Sequence, residues 1–386
     1  MATSDVLIDP SRRSALVWRA TAALTLLIFL WQWPFFIGAD LPRAGSYVVH
    51  HGYILAWLLL VTSFTRTLPL RTLAAFWFVG VFPVMALNLV IARPMDDLLG
   101  GRELAYAYLG PLVEELIKPL PVIAFFVYRA RRREWNLSAT DGLLLGFMVG
   151  AGFAFHEDAG YSRVFGAGFD ATPWNALFPT IGYFRGTLTP YHDTLAALVG
   201  LSIGFAFLYR RYRLAWVVPV VVWLIVLAQH VTGNLMDISG RAPLPAEILS
   251  GLLLGGRAPL AMLLIGIVLA VVLEARILRS IGRRDPLFPS IRLPEFLRVL
   301  QRPTAGSLRR LQAIRVYARQ RRSLYYTLWG GRPLATAEVQ EMGAILYGLG
   351  IEAGVPVEAR FEAYERAADA PSTEPSAAHA PHSAGP

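Results

Sequence analysis

The chain carries eight apolar runs, each close to the twenty or so residues a helix needs to cross a hydrocarbon core of about 30 Å. They fall near residues 17–38, 48–64, 72–92, 104–128, 139–160, 187–209, 214–236 and 258–276. Inside lipid every backbone N–H and C=O must be satisfied within the segment, so runs of this length fold as helices. The expected fold class is all-α: a polytopic transmembrane helical bundle of about eight spans, followed by a small, mainly helical cytoplasmic C-terminal region. Composition agrees, since 55% of residues are hydrophobic, 16% are charged and mean hydropathy is +0.47, outside the range of soluble domains. The last run is preceded by "LLLGGRAP", which places Arg257 and Pro259 where an unbroken span from Ile248 would need apolar residues. Residues 246–256 are therefore read as an interfacial piece ahead of the eighth span.

Arginines in the short loops orient the bundle, because cytoplasmic loops collect positive charge. The connection after the fourth run holds Arg129, Arg131, Arg132 and Arg133; that after the sixth holds Arg210, Arg211 and Arg213; the tail opens with Arg276, Arg279, Arg283 and Arg284. The loops at 161–186 and 237–246 are arginine-poor and face outward. Both termini then lie in the cytoplasm. The run after Ser11, Arg12 and Arg13 is too long for a signal-peptide core and lacks a small-residue cleavage site, so it reads as the first anchor. With no cysteine, disulfides, thiolate metal sites and cysteine nucleophiles are excluded. Arginine supplies every basic residue but Lys118, a bias typical of GC-rich bacterial genomes, and the expected location is a bacterial cytoplasmic membrane.

Five regions follow: spans one to three at 1–103, a polar-studded membrane core at 104–236, the interfacial piece and last span at 237–276, a basic helical region at 277–370, and a low-complexity tail at 371–386. The basic region holds most of the chain's net charge of +9. Its segment "SLRRLQAIRVYARQRRSLYYTLW" is predicted to be a basic helix capped by Ser307, either a solvated face or a surface for anionic lipid.

Ionisable groups in spans are costly and usually face the bundle interior. Here they are Glu114, Glu115 and Lys118 in the fourth run; His156, Glu157 and Asp158 at the end of the fifth; His192 at the start of the sixth; and His230 with Asn234 late in the seventh. At 1.5 Å per residue, span direction brings all four sets to the outer half of the bilayer. Lys118 follows Glu114 by four and Glu115 by three, the favourable order for a helical ion pair. His230 and Asn234, four apart, share a face. Gly142, Gly146 and Gly150 with Ala154, and Ala196, Gly200 and Gly204, form small-residue ladders that let helices approach closely. Pro111, Pro119 and Pro121 bracket the acidic pair and remove backbone donors there. Each feature has a plain structural reading: an ion-pair tie, interfacial histidines such as His50 and His51, a supporting His156, ladders for packing. Their conjunction at one level points to chemistry.

A glutamate can act as general base on water while imidazole and amide donors stabilise the oxyanion of an attacked peptide carbonyl. Lys118 would keep a carboxylate charged and oriented. That version needs no cofactor. A second version holds a divalent metal such as zinc on Glu157, His192 and His230, with Glu114 as base. Other intramembrane hydrolase signatures are missing: "HEDAG" has Gly160 where a zincin needs histidine, no GxGD pair occurs, and Ser202 in "GLSIG" lacks a rhomboid setting.

These residues resemble the PrsW family of glutamic-type intramembrane proteases, related to the CAAX prenyl endopeptidases and bacteriocin-processing membrane proteases. The pattern EExxK, FxxxE, a lone histidine and HxxxN is met by Glu114, Glu115 and Lys118; Phe153 and Glu157; His192; and His230 with Asn234. The resemblance covers about residues 104–236 and implies that Glu114 activates water, that Glu115 pairs with Lys118, and that the histidines with Asn234 bind water or oxyanion. Asp158 departs from the asparagine usual after the family's glutamate. The partners implied are the lipid bilayer and a membrane-anchored protein substrate, an anti-sigma factor being the family precedent, and no nucleic acid. Two other classes fit the same polar set: an ion or proton transporter using it as a relay, and a non-catalytic membrane scaffold.

Overall fold

The computed structural model describes residues 26–32, 41–99, 105–131, 137–165, 192–239, 244–284, 305–330 and 337–355, with Ala23 and Phe288. The N-terminal part of the first apolar run, Arg132 and Arg133, most of the outward loop at 161–186, and the low-complexity tail lie outside the described residues. Among those described there are helices and turns and no strands. The chain divides into two compact units, residues 1–277 and 278–386.

In the first unit, α1 is Leu41–Val61 and α2 is Leu70–Val79, which passes through a widened turn at Gly80–Val84 into α3, Met85–Leu99. A second widened turn at Ala105–Leu109 leads into α4, Gly110–Ile117, and α5, Leu120–Arg131. Then come α6, Ala139–Phe165; α7, His192–Leu208; α8, Val217–Ser239; α9, Leu244–Leu252; and α10, Arg257–Arg284, which runs on into the second unit. Four helical stretches are long and apolar enough to cross a membrane, Leu70–Ala92, Ala139–Glu157, Arg213–Met236 and Leu254–Arg283, with shorter apolar helices at Val48–Val61 and His192–Leu208. The protein is a multi-pass membrane protein. The expected fourth span, at 104–128, is helical but carries three charges within five residues and a turn at Lys118–Pro119.

Helix α6 is the centre of this unit: 94% of its apolar stretch is buried, against 22% for α8 and 28% for α10. The glycine ladders explain how. A Cβ on Gly142 would strike the Gly200 carbonyl, one on Gly146 the Ala196 carbonyl, and one on Gly150 the His192 carbonyl. On another side, Gly152 lies against the Trp77 carbonyl of α2 and Gly80 against that of Val149. Backbones at this distance gain dispersion contacts that larger side chains would forbid.

The start of α6 is tied by a buried polar network. Ser138 Oγ accepts from the Asp141 N–H at 2.9 Å while Asp141 Oδ2 accepts from the Ser138 N–H at 2.9 Å, a reciprocal cap. Asp141 also accepts from the Thr67 and Leu68 N–H groups and the Thr67 hydroxyl. Glu274 of α10 accepts from the Thr140 N–H at 3.0 Å and the Thr140 hydroxyl at 2.8 Å. These bonds fix the height of α6 against the α1–α2 loop and α10.

The interruption expected before the last apolar run is present. Helix α9 ends at Leu252, and Leu254, Gly255 and Gly256 adopt φ of 54°, 62° and 87° before α10 starts at Arg257. In the second unit, α11, Ala305–Trp329, and α12, Ala337–Ala353, pack together around Tyr317, Leu324, Tyr325, Tyr326 and Leu346. Arg310 Nε donates to the Ala353 carbonyl at 3.1 Å, serving the end of α12. The predicted cap at Ser307 is corrected: α11 begins at Ala305, so Ser307 lies in its first turn. Gly306 is accommodated in that turn because glycine keeps its N–H and reaches helical φ and ψ without strain.

Candidate active site

Helix α4 presents Glu114 and Glu115, and Lys118 follows one turn on. All three are buried, at 8%, 1% and 1% exposure. Lys118 Nζ lies 3.2 Å from Glu114 Oε2, 2.8 Å from Glu115 Oε1 and 2.8 Å from His192 Nδ1. An ammonium has three hydrogens, and each has an acceptor here. The face of the Phe153 ring, 4.3 Å from Nζ, closes the remaining side.

The small-residue crossing of α6 and α7 explains why His192 meets Glu157. Stepping up α6 through Gly142, Gly146 and Gly150 runs down α7 from Gly200 through Ala196 to His192. Glu157, two turns beyond Gly150, then faces the ring. His192 Nε2 stands 2.7 Å from Glu157 Oε2. Since the ammonium can only donate, Nδ1 of His192 accepts, and the neutral ring carries its proton on Nε2, toward Glu157.

Helix α8 brings the second imidazole. His230 Nδ1 lies 2.9 Å from Glu115 Oε1, so a carboxylate fixes its Nδ1–H. Its Nε2 lone pair then points into the cluster, 3.9 Å from Glu114 Oε2. The two rings meet edge to face at 4.9 Å. Asn234 shares this face, but its amide Nδ2 donates to the Tyr106 carbonyl at 2.9 Å. His156 is turned elsewhere, with Nδ1 donating to the Val81 carbonyl at 3.0 Å. The side chain of Asp158 lies outside the described residues.

Ligand atoms of Glu114, Glu115, His192 and His230 thus lie within 4.8 Å of one another. The model of the PrsW family intramembrane metalloproteases matches residues 68–273. The chain belongs to that family. Neither the comparison with curated proteins nor that with solved structures gave a match. The PrsW family is one of intramembrane proteases, and its match starts at the α1–α2 loop and ends inside α10, so it takes in Asp141 and Thr140 as well as the polar cluster and stops one residue short of Glu274.

The family's description raises the question of a metal. Two imidazoles and carboxylates are donor types that suit zinc. His230 fits, with Nδ1 on a carboxylate and Nε2 free to ligate, the usual outer support of a metal-bound histidine. His192 does not, because its Nδ1 faces the Lys118 ammonium and its Nε2 proton faces Glu157. The tight group also holds Glu114 and Glu115 where the sequence suggested Glu157. As arranged, the site offers one imidazole lone pair, and a metal held by both histidines does not fit while Lys118 stands at the centre.

Several neighbours were not legible in the sequence. Trp223 Nε1 donates to the Glu115 carbonyl at 2.6 Å, yet a tryptophan in a span reads as lipid-facing. Asp193, 2% exposed, places Oδ2 3.9 Å from His51 Nε2 of α1. The "HD" pair at 192–193 was the signal available, and His51, read as interfacial, is instead buried at 5% exposure.

Proposed function

We propose that this chain is an endopeptidase that hydrolyses peptide bonds of membrane-anchored proteins within the outer half of the bilayer, using water activated by Glu114. The observation that carries the reading is the buried meeting of Glu114, Glu115, His192 and His230, from three helices, around a fully partnered lysine.

Glu114 is the natural base. Its Oε2 faces His230 Nε2 across 3.9 Å, so a single water set beside the pair can hydrogen-bond to both. As the water oxygen adds to the carbonyl carbon, Glu114 takes one proton; as the C–N bond breaks, that proton passes to the leaving nitrogen. His230, its Nδ1–H held by Glu115, accepts the second hydrogen of that water at Nε2 and so aims the attacking oxygen. Lys118 sets the tautomer of His192 and keeps the two adjacent carboxylates from repelling each other apart, while Glu157 stands beside His192 Nε2. No step requires a cofactor.

A second reading follows from the family's description as metalloproteases. A divalent ion such as zinc on Glu157, His192 and His230, or on the tighter Glu114, Glu115, His192 and His230 set, would require the Lys118 ammonium to leave His192. Activity and metal content measured before and after a chelator separate the two. A transporter using the same groups would instead show flux in liposomes that Glu114→Gln blocks. Comparative membrane proteomics of cells carrying wild type or Glu114→Gln tests for cleavage and finds the substrate together, an anti-sigma factor being the first to check. We place the protein in a bacterial cytoplasmic membrane with about eight spans and both termini inside, on the arginine distribution.

A further inference from the structure

We propose that Trp223 and Asn234 of α8 are positioning residues that replace two backbone donors removed by proline, and so hold the segment carrying Glu114 against the helix carrying His230. The proposal rests on the hydrolytic reading above.

Pro119 has no N–H, so the carbonyl four residues back, Glu115, loses its helical partner. The backbone is otherwise helical across this point: Lys118 has φ −55° and ψ −43°, its N–H reaches the Glu114 carbonyl at 3.0 Å, and the Ile123 N–H reaches the Pro119 carbonyl at 2.9 Å. Two donors are missing here, that of Pro121 to the Ile117 carbonyl and that of Pro119 to the Glu115 carbonyl, and the second is the bond at issue. The Trp223 indole N–H supplies it, 2.6 Å from the Glu115 carbonyl.

The same substitution occurs one element earlier. In the widened turn at Ala105–Leu109 each carbonyl pairs with the nitrogen five residues on, and five beyond Tyr106 is Pro111. Asn234 Nδ2 donates to that carbonyl at 2.9 Å. Spans tolerate proline where neighbouring helices re-satisfy the freed carbonyl; the Trp223 bond that does so is half-buried and the Asn234 bond is exposed.

Trp223, His230 and Asn234 sit at i, i+7 and i+11, one stripe of α8. Glu115 is therefore held twice by that stripe: its carbonyl by Trp223 and its carboxylate by His230, at 2.9 Å. Together the two outer bonds set the height and rotation of α4 against α8, and with them the 3.9 Å between Glu114 Oε2 and His230 Nε2. Asn234 acts through Tyr106 and not on the substrate oxygen, which departs from the role the family resemblance implied.

Two double-mutant cycles on the full-length protein test this: Trp223→Phe with Pro119→Ala, and Asn234→Ala with Pro111→Ala. Each alanine restores the backbone N–H whose loss the side chain offsets. Cleavage of a membrane-anchored reporter and the thermal midpoint are read for every corner. Trp223→Phe is expected to lower kcat about tenfold with KM unchanged, the size of one hydrogen bond lost in the transition state. Adding Pro119→Ala should recover most of that loss and of the Tm. The same holds for Asn234→Ala with Pro111→Ala, whereas the crossed pair, Asn234→Ala with Pro119→Ala, should show no recovery. Doubles no better than the single Trp223 and Asn234 variants in kcat and Tm overturn the proposal, as does wild-type kcat in Trp223→Phe. If the wild type cleaves nothing, the hydrolytic reading falls, and the Tm cycles still decide whether the side chains replace the missing donors.

Discussion

Lys118 Nζ and His192 Nδ1 lie 2.8 Å apart, and because an ammonium has only hydrogens to offer, this single distance dictates the protonation of the imidazole. It also makes Lys118 the common partner of Glu114, Glu115 and His192. Replacing it with methionine would leave two carboxylates side by side at full burial. Removing one member of a buried ion pair typically costs about 3–5 kcal/mol, so Lys118→Met should unfold well below the wild-type temperature. Lys118→Arg should not rescue it, because a planar fork cannot direct three hydrogens to acceptors around a point. Thermal unfolding in detergent of the three proteins checks both outcomes.

The α6–α7 crossing should be intolerant of any added atom. Gly146→Ala places a methyl on the Ala196 carbonyl, and overpacking of this kind costs about 1–3 kcal/mol. It should also cut activity, since the same crossing brings His192 to Glu157. Gly233→Ala on α8, where nothing lies within 4 Å of the new Cβ, should be neutral or slightly stabilising by up to about 1 kcal/mol. Thermal midpoints and reporter cleavage of the two variants separate a specific clash from a general glycine effect.

Asp141→Ala removes the reciprocal cap of α6 and strips acceptors from the Thr67 and Leu68 N–H groups. Each buried donor left alone costs about 1–3 kcal/mol, so a loss of at least about 2 kcal/mol is expected. Glu274→Leu should destabilise through Thr140 in the same way. His156→Ala should also lower stability, through the Val81 carbonyl, while the surviving folded fraction keeps its kcat. Activity corrected for folded protein distinguishes these three from His230→Ala, which should fold and not cleave.

Much of the site was legible because it breaks a rule. Glu114, Glu115, Lys118, Glu157, His192 and His230 stand out as charge where lipid demands apolar residues, and the small-residue ladders explain their meeting in advance. The broken helix at Gly255 was readable from "LLLGGRAP" for the same kind of reason. What escaped was whatever looks ordinary in a membrane segment. Trp223 has the appearance of a lipid-facing aromatic, and the carbonyls of Tyr106 and Glu115 that it and Asn234 serve are backbone atoms with no letter in the sequence. Glu274 lies so near the arginine cluster at 276–284 that it reads as the start of a solvated end, although it is fully buried. Asn234 was placed on the correct face, and only its hydrogen-bond partner separates a positioning role from contact with the substrate.

The central claim is that Glu114 activates the water that cleaves the peptide bond. Purified wild type and Glu114→Gln, reconstituted in liposomes with a single-span reporter, measure it directly, with thermal unfolding recorded on both. Glutamine keeps the shape of the side chain and one acceptor oxygen but cannot take a proton at neutral pH. Loss of a general base lowers rates by about 10²–10⁴, so Glu114→Gln should be at least about a hundredfold slower while folding normally. Cleavage by Glu114→Gln at the wild-type rate would contradict the assignment.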